Sequence, residues 1–247
     1  MLALPPIADA SPGPPSILTG LPPGLLSRLF ENADRRCLKV DEPLFRTGDT
    51  GDGCYRLEAG LLKLLVESSE GEELIIAFLG PGAMVGELAV IDGLPRSATA
   101  VAATHCELSF ITRRAFDACM RTHPEVYRCL VETLAARLRQ SNDALAAASF
   151  LNSNGRVARA LLELAELLGE DAGDGRILIR QHIRQRDLAA MAGIARENVS
   201  RILSGWKRRK LVGQAPHGYY TVDTARLGRE VEHQRSTLEL PARPRAA

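Results

Sequence analysis

The stretch GELAVIDGLPRSATA, residues 86–100, places an acidic and a basic side chain in a segment of mostly apolar and small residues. Glu87 and Arg96 lie nine positions apart in it. A buried charge is costly in free energy unless it is paired or bound to another group. Two arrangements follow: the two side chains satisfy each other inside a loop, or together they hold a ligand that carries an anion and a hydroxyl group.

The residues on either side of this stretch have the pattern of an antiparallel β domain. Between residues 36 and 111, short apolar runs alternate with turns that are rich in Gly, Pro, Asp and Ser. Strands of this length and spacing are typical of a sandwich or a jelly roll. The run MVGELAV, residues 84–90, is interpreted as one of these strands. A short amphipathic helix is predicted ahead of them, at 25–33.

A helical repeat after the β domain predicts a dimerisation helix. Thr122 and Glu125 resemble a capping box, with Pro124 in the first turn. Steps of four and three residues then define a seam, which consists of Tyr127, Val131, Leu134, Leu138, Ser141, Leu145, Ala148 and Asn152. This spacing is typical of a two-stranded coiled coil, so we expect a homodimer. Ser141, followed by Asn142, is a polar interruption of the seam.

A second domain is predicted beyond a hinge at 152–155. Its elements are a helix at 156–168, a strand at 176–180, two further helices and a hairpin at 214–223. The polar segment from about residue 230 onward is interpreted as a disordered tail.

The two helices within residues 185–210 have the spacing of a helix-turn-helix, with Gly193 in the turn, where a positive φ is easiest. The residues assigned to the contact between the helices are Leu188, Ala189, Ala192, Ile194, Val199 and Ile202. The second helix then exposes Arg196, Glu197, Ser200 and Arg201, whose types can read base edges in the major groove. Lys207, Arg208, Arg209 and Lys210 at its far end suit phosphates. The alternative is a helical hairpin with a merely solvated charged face.

Charge and composition restrict the partners. The net charge is only +1, yet residues 180–210 contain nine Lys and Arg residues against two carboxylates, which favours a polyanionic partner. The five cysteines form no C-x-x-C pair, which indicates reduced thiols and no metal site. No apolar run approaches the roughly 18 residues of a membrane span, so we expect a cytoplasmic protein without a membrane contact. The scattered histidines form no catalytic constellation, and no enzymatic activity is predicted.

A jelly roll, a long dimer helix and a C-terminal winged helix-turn-helix, in this order, resemble the cAMP-receptor/FNR family of bacterial transcription regulators over about residues 25–225. GELAVIDGLPRSATA resembles the phosphate-binding cassette of that family. The resemblance implies an α+β fold. The predicted domains are a Pro-rich arm at 1–24, a cyclic-nucleotide-binding jelly roll at 25–121, the dimerisation helix at 122–152, a winged helix-turn-helix domain at 153–229 and a tail at 230–247.

The resemblance also implies individual contacts. Arg96 would pair with the cyclic phosphate, Ser97 would hydrogen-bond it, and Glu87 would accept the ribose 2′-hydroxyl. The other implied nucleotide contacts are Gly86, Leu88, Ala98, Leu64, Ile76, Ala77, Arg137, Ser141 and Asn142. The implied DNA contacts are Gln185, Arg186, Arg196, Glu197, Ser200, Arg201, Lys207 and Arg208. For Ser141 and Asn142 a second interpretation stays open, because a polar seam residue can simply set helix register.

These features predict a homodimeric transcription regulator that depends on cAMP, or on cGMP, as its effector and binds a palindromic operator in double-stranded DNA. RNA polymerase is its expected further partner. One alternative is a ligand-independent or redox-responsive DNA-binding regulator on the same scaffold, in which Glu87 and Arg96 form an internal salt bridge. Another is a nucleotide-binding module that acts on an enzyme, against which the helix-turn-helix argues.

Overall fold

The computed structural model describes Phe30 and residues 33–235, which form an α+β architecture of two units. The first unit extends to Arg139 and the second begins at Gln140. The arm at 1–24, most of the helix predicted at 25–33 and the tail beyond residue 235 lie outside the described residues.

The first unit contains the predicted jelly roll, built from two four-stranded antiparallel sheets. Its strands are β1 (Asp34–Leu38), β2 (Pro43–Phe45), β3 (Gly53–Ala59), β4 (Leu62–Glu67), β5 (Glu73–Leu79), β6 (Met84–Val85), β7 (Thr99–Ala102) and β8 (Cys106–Thr112). One sheet has the strand order β1-β8-β3-β6 and the other β2-β7-β4-β5. Leu57, Leu62 and Leu108 are fully buried between them, because alternate side chains of each strand face the same side.

Two helices of this unit differ from the sequence-based expectation. The run at 84–90 is a two-residue strand followed by helix α1 (Glu87–Asp92), so the interpretation of MVGELAV as a strand is wrong. Glycines with positive φ, Gly86 and Gly93, bound α1 on both sides. Helix α2 (Arg113–Thr122) follows β8, and the Thr112 side chain caps it by accepting from the backbone N–H of Ala115 at 3.2 Å.

The long helix α3 (Glu125–Phe150) begins three residues after Thr122, the residue predicted to cap it. Thr122 ends α2, and its hydroxyl donates to the carbonyls of Ala118 and Cys119 at 3.1 and 3.2 Å. The capping-box prediction is therefore wrong, because the threonine already belongs to the preceding helix. The predicted seam is largely uncovered: the exposed fractions of Val131, Leu138 and Leu145 are 62%, 63% and 69%.

The second unit contains a helix-turn-helix and a small four-stranded sheet. Its elements after α3 are α4 (Ser153–Leu168), β9 (Gly169–Asp171), β10 (Arg176–Ile179), α5 (Gln185–Ala192), α6 (Arg196–Arg208), β11 (Val212–Gln214), β12 (Tyr220–Asp223) and α7 (Thr224–Arg235). The predicted strand, helix pair and hairpin are all present, and a short 3-10 turn, Pro216–Gly218, closes the hairpin.

Several features of the second unit differ from the prediction: α4 begins at Ser153 rather than at 156, and β9 and α7 were not predicted. Asn152 is not a seam position, since its side chain accepts from the Gly155 backbone N–H at 3.1 Å and caps α4. The predicted hinge is thus the first turn of a helix, because an Asn side chain in extended backbone satisfies the free amides at a helix start. Helix α7 continues to Arg235, so residues 230–235 are helical rather than a disordered tail.

None of the helices in the described ranges combines the length and apolarity that a bilayer crossing requires. Among the described residues, Cys37, Cys54, Cys106 and Cys119 are not joined in disulfide bonds.

Candidate functional site

The cassette is defined here as residues 86–100. Glu87 and Arg96 are its buried charged residues, and Glu87 is the more buried of the two. Arg96 Nη1 donates to the carbonyl of Gly86 at 2.6 Å and Arg96 Nη2 to the carbonyl of Gly53 at 2.8 Å. The guanidinium also lies 4.5 Å from the ring centroid of Phe45, a cation–π distance. The Nε atom is buried and has no hydrogen-bond partner among the described residues.

The carboxylate nearest to Arg96 belongs to Asp52 and is a weak partner. The Nη2–Oδ1 distance is 3.8 Å and the Asp52 side chain is 77% exposed. Solvent screens such an exposed charge, so it offsets little of the cost of burying the arginine. Arg96 is consequently a buried cation that is held mainly by neutral carbonyl groups.

Glycines on two segments make room for this guanidinium. A Cβ atom added at Gly86 would overlap Nη1 of Arg96, and one added at Gly51 would overlap Cβ of Ala89. Gly86 also has a φ of 83°, in the left-handed region that favours glycine. The loop that ends at Gly53 is therefore as much a part of the site as the cassette itself.

Glu87 is 1% exposed and pairs with Arg137 on α3, not with Arg96. Arg137 Nη1 contacts Oε1 of Glu87, and Nη2 donates to the carbonyl of Met84 at 2.8 Å. The internal Glu87–Arg96 salt bridge considered from the sequence is therefore absent among the described contacts. The resemblance places Arg137 near the purine, whereas its bonds here fix the carboxylate predicted to meet the ribose.

Cys54 is a buried thiol near both charged groups, Glu87 and Arg96. Burial raises the pKa of Cys54 to about 12, with a further upward contribution from the Glu87 carboxylate that Arg96 opposes. The thiol is therefore neutral at physiological pH and acts as a small apolar side chain in a cluster with Met84 and Val90.

The other predicted nucleotide contacts of the first unit lie in different environments. Leu88 and Ser97 are exposed, Gly86 is half-buried and Ala98 is buried. Leu64 and Ala77 pair across β4 and β5 and pack at the edge of the jelly-roll core. Ile76 is 53% exposed, because the register shifts from Leu64↔Ala77 to Leu65↔Ile75 and leaves it opposite no residue of β4.

Ser141 and Asn142 lie on α3 in the second unit, and both are exposed. Because they belong to a different unit from the cassette, their assignment as nucleotide contacts stays a prediction.

The helix-turn-helix has the predicted outer face and most of the predicted interior, in which Ile194 and Ile202 are only half-buried. Leu188, Ala192 and Val199 are buried, and Gly193 ends α5 with a φ of 58°. Arg196, Glu197, Ser200 and Arg201 are exposed on α6, and so is Arg186 on α5. Arg201 Nη1 donates to the side-chain oxygen of Asn198 at 3.2 Å, which restrains its direction.

Sequence reasoning missed the residues that attach α6 and the hairpin to the rest of this unit. Leu203 and Trp206 are 1% and 2% exposed, and they continue the apolar face of α6 by one turn. The Tyr220 hydroxyl hydrogen-bonds the side chain of Gln185, and burial raises the pKa of this tyrosine. The step of three or four residues from Val199 is a signal that could have found Leu203 and Trp206.

Comparisons with known proteins agree with this architecture. Residues 35–123 match the family described as a cyclic nucleotide-binding domain, and residues 155–230 match the Crp-like helix-turn-helix domain. The cyclic AMP receptor protein of Thermus thermophilus is 35% identical over 212 residues, which cover 86% of this chain and 94% of that protein.

Two further relatives extend the comparison. The CRP-like cAMP-activated global transcriptional regulator of Mycobacterium tuberculosis is 29% identical over 213 residues, covering 86% of this chain and 95% of that protein. A solved CRP/FNR-family transcriptional regulator from Thermus thermophilus is similar with a TM-score of 0.67 and 25% identity, over 81% of this chain and 100% of that one.

Proposed function

This chain belongs to the cAMP-receptor/FNR family of bacterial transcription regulators, and on that premise we propose that it is a homodimeric regulator whose DNA binding depends on a cyclic nucleotide, with cAMP as first choice and cGMP as second. It is a DNA-binding transcription regulator with a cyclic-nucleotide-binding domain. The effector, the dimer, a palindromic operator, a contact with RNA polymerase and a cytoplasmic location are parts of the proposal.

The observation that carries the proposal is the incomplete neutralisation of Arg96. The side chain is 3% exposed, its charge meets two carbonyl oxygens, and the Asp52 carboxylate is 3.8 Å away. A buried cation in this state gains most from a compact anion, because a full negative charge then opposes its charge in addition to the carbonyl dipoles. The phosphate of a cyclic nucleotide is such an anion, and exposed Ser97 offers it a hydroxyl donor.

Glu87 supports the proposal through its pairing with Arg137. The ion pair holds the carboxylate in place, so that it can accept a hydrogen bond from a sugar hydroxyl. Because Arg137 lies on α3, a change in its bond to Glu87 would act directly on the long helix. We propose Arg137 as a positioning residue for Glu87, and Leu64, Ile76 and Ala77 as apolar contacts of the nucleotide.

The long helix supports the homodimer. Tyr127, Val131, Leu138 and Leu145 are all more than half exposed and recur at heptad spacing. A stripe of large apolar side chains on a helix is destabilised in water unless it is covered, and a copy of the same stripe is the partner that heptad spacing suits. We propose that Ser141 and Asn142 contact the nucleotide base from this helix, so that binding tightens the seam.

The second unit supports the proposed recognition of a DNA sequence. Arg196, Glu197, Ser200 and Arg201 form one exposed face of α6, and these types can bond guanine, cytosine and other base edges. In a symmetric dimer, two such helices would meet half-sites one helical turn apart, about 34 Å. Gln185 and Arg186 at the start of α5 are proposed to contact the flanking backbone.

The test is a titration of the purified protein, followed by an operator selection. Calorimetry with cAMP and with cGMP should give one binding event per chain. Selection of duplexes from a random library should then yield a palindrome in the presence of nucleotide and a much weaker enrichment without it. Nucleotide that binds without any change in DNA affinity would contradict the proposed dependence.

A ligand-independent regulator is the second candidate, and one observation favours it. Glu87 and Arg96 both already have partners within the protein, Arg137 for the first and two carbonyls for the second. If calorimetry shows no heat with either cyclic nucleotide while the selection still returns a palindrome, this second function is the correct one.

A further inference from the structure

A cationic cavity lies at the open end of the β11–β12 hairpin, outside the nucleotide site and the reading face of α6, and it includes Lys207 and Lys210 from the basic end of that helix. Its volume is about 370 Å³. Its charged lining residues are Arg176 on β10, Lys207 and Lys210 at the end of α6, and Asp223 and Arg226 at the start of α7. Four cations thus face one carboxylate across a small space.

The single carboxylate is already engaged. Asp223 accepts from the Arg226 backbone N–H at 2.9 Å, and its other oxygen lies 3.9 Å from Nε of Arg226. Lys207 donates to the neutral side-chain oxygen of Gln214 at 2.7 Å, and Arg176 donates to the carbonyl of Lys210. Within residues 33–235, no carboxylate neutralises Arg176, Lys207 or Lys210. The cavity therefore carries an uncompensated positive charge.

Lys210 has a backbone conformation that is unfavourable for a residue with a side chain. Lys210 has a φ of 58°, in the left-handed region just after the end of α6. Glycine is the residue that helices favour at this position, because a side chain costs free energy in that conformation. A lysine at the position that glycine suits best, with its carbonyl bound by Arg176, points to a use for its charge.

Gly213 shapes the floor of the same cavity. A Cβ atom added there would overlap Oγ1 of Thr221 and would lie 3.4 Å from Nη1 of Arg176. The absence of a side chain thus leaves room beside the hairpin for the Arg176 guanidinium. Arginine held in this way can offer two parallel N–H groups to one anion.

The cavity lies beyond the residues proposed to read bases. Lys207 follows Arg196 by eleven residues and Arg201 by six, about 16 Å and about 9 Å along the helix axis. Val212 pairs with Val222 at the open end of the hairpin, and the Pro216–Gly218 turn is at the other end. An anion in the cavity would therefore sit apart from the proposed base contacts.

We infer that this cavity binds a phosphate group through Arg176, Lys207 and Lys210. Phosphate is compact, carries up to two negative charges near neutral pH and accepts several hydrogen bonds, which matches three cations around a small space. The group has two possible sources: a free phosphorylated molecule, or a backbone phosphate of bound DNA. The inference does not depend on cyclic-nucleotide recognition.

The experiment uses the full chain and inorganic phosphate as the probe. The melting temperature is measured in phosphate and in chloride at equal ionic strength for the wild type, Lys210→Gly, Arg229→Gln and Arg96→Ala. Lys210→Gly removes the charge and the strain together, so it should melt higher than the wild type in chloride. Arg229→Gln is the matched control, since Arg229 is a cation on α7 outside the cavity.

Phosphate stabilises folded proteins in general relative to chloride, so the site is read from the difference between variants: we expect the rise in melting temperature to be about 3 °C larger in the wild type, in Arg229→Gln and in Arg96→Ala than in Lys210→Gly. Retention of the shift in Arg96→Ala separates this site from the cassette.

A second measurement distinguishes the sources. Binding to a duplex of mixed sequence, about four helical turns long, is followed by fluorescence anisotropy at several salt concentrations. If DNA supplies the phosphate, Lys210→Gly should reduce the slope of log K against log salt by about 1, whereas a free ligand leaves the slope unchanged. Equal phosphate shifts and equal slopes in the wild type and Lys210→Gly would overturn the inference.

Discussion

The cassette and the reading face of α6 both present an acidic and a basic residue, but they hold these residues in opposite ways. Glu87 and Arg96 are 1% and 4% exposed, and both are bonded to other parts of the protein. Glu197 and Arg201 are exposed, and Arg201 has only a local hydrogen bond to Asn198. One pair is built into the core of its unit, and the other is presented to solvent.

The two regions differ in whether a substitution can change binding without changing stability. In the cassette, binding and stability share the same side chains, because Arg96 bridges two segments of backbone through Gly86 and Gly53. On α6, the interior is made by Val199, Leu203 and Trp206, so the outer residues can change without unfolding the unit. Substitutions should therefore affect binding and stability together in the first region and binding alone in the second.

The largest effect is expected for Arg96→Ala. Loss of the charge that meets the phosphate should weaken cAMP binding by roughly 100-fold or more, about 3 kcal/mol. The carbonyls of Gly86 and Gly53 lose their donor, so the free energy of unfolding should also fall, by about 1–3 kcal/mol. Calorimetry with cAMP and chemical denaturation measure the two quantities.

Arg96→Lys is the matched variant, because it keeps the charge and loses the forked geometry. It should recover part of the stability and little of the affinity. An Arg96→Ala protein that binds cAMP as tightly as the wild type would show that the cassette assignment is wrong.

Arg201→Ala should have the next largest effect, on DNA binding and not on folding. Loss of a bidentate contact to a base should cost about 1–3 kcal/mol per half-site and relax the preference at one base position. Competition between duplexes that differ at single positions measures this, with the melting temperature as the control. A loss that is equal for every duplex would mean that Arg201 contacts backbone phosphate instead.

The double substitution Ser141→Ala and Asn142→Ala tests a third, intermediate case, in which exposed residues are proposed to act on a buried site. Both side chains can donate and accept hydrogen bonds, so they can serve adenine or guanine, and both cAMP and cGMP should bind the wild type. The double variant should retain nucleotide binding through Arg96 and lose most of the nucleotide-dependent gain in DNA affinity.

The measurement for this variant is the affinity for a selected operator duplex with and without nucleotide. An unchanged gain would show that Ser141 and Asn142 only set the register of the seam.

The smallest effect is expected for Arg208→Ala at the exposed end of α6. Removal of one phosphate contact should weaken binding to all sequences by a similar, small factor and lower the salt slope by about 1. Anisotropy titrations at several salt concentrations, with Arg201→Ala in parallel, compare the two variants. A sequence-dependent loss for Arg208→Ala would contradict the division of α6 into a reading face and a backbone-contacting end.

Local pattern was enough to predict most strands of the first unit and the helix-turn-helix of the second. Short apolar runs between turn residues indicate the strands of the jelly roll, and Leu188, Gly193 and Val199 define the helix-turn-helix. These features depend on periodicities of two or three to four residues, which a single sequence displays directly.

The elements that were missed lacked such a periodicity or competed with another one. Helix α1 is six residues long and mostly apolar, and a short apolar run cannot be assigned to a helix or a strand by pattern alone. The glycines at 86 and 93 were the available signal for its ends. Thr122 resembles a helix start, but the apolar pair Phe116 and Met120 already places it in α2.

The partners of the buried charges could not be predicted from spacing. Glu87 bonds to a residue fifty positions away, and Arg96 bonds to a carbonyl forty-three positions away. The proximity of Glu87 and Arg96 in the sequence suggests that they pair, whereas the fold directs each to a different element. Only the tertiary structure brings Arg137 and Gly53 to the cassette.

The glycines around Arg96 have a consequence for protein engineering. The loop at 51–53 has no room for a side chain at Gly51, since a Cβ there would overlap Ala89 of the cassette, and within the cassette a Cβ at Gly86 would overlap Arg96. A graft of residues 86–100 alone into another β-roll would bring the motif without the space that it requires. The smallest transplantable module is therefore two segments, because a recipient with a larger residue at 51 should reject the cassette alone.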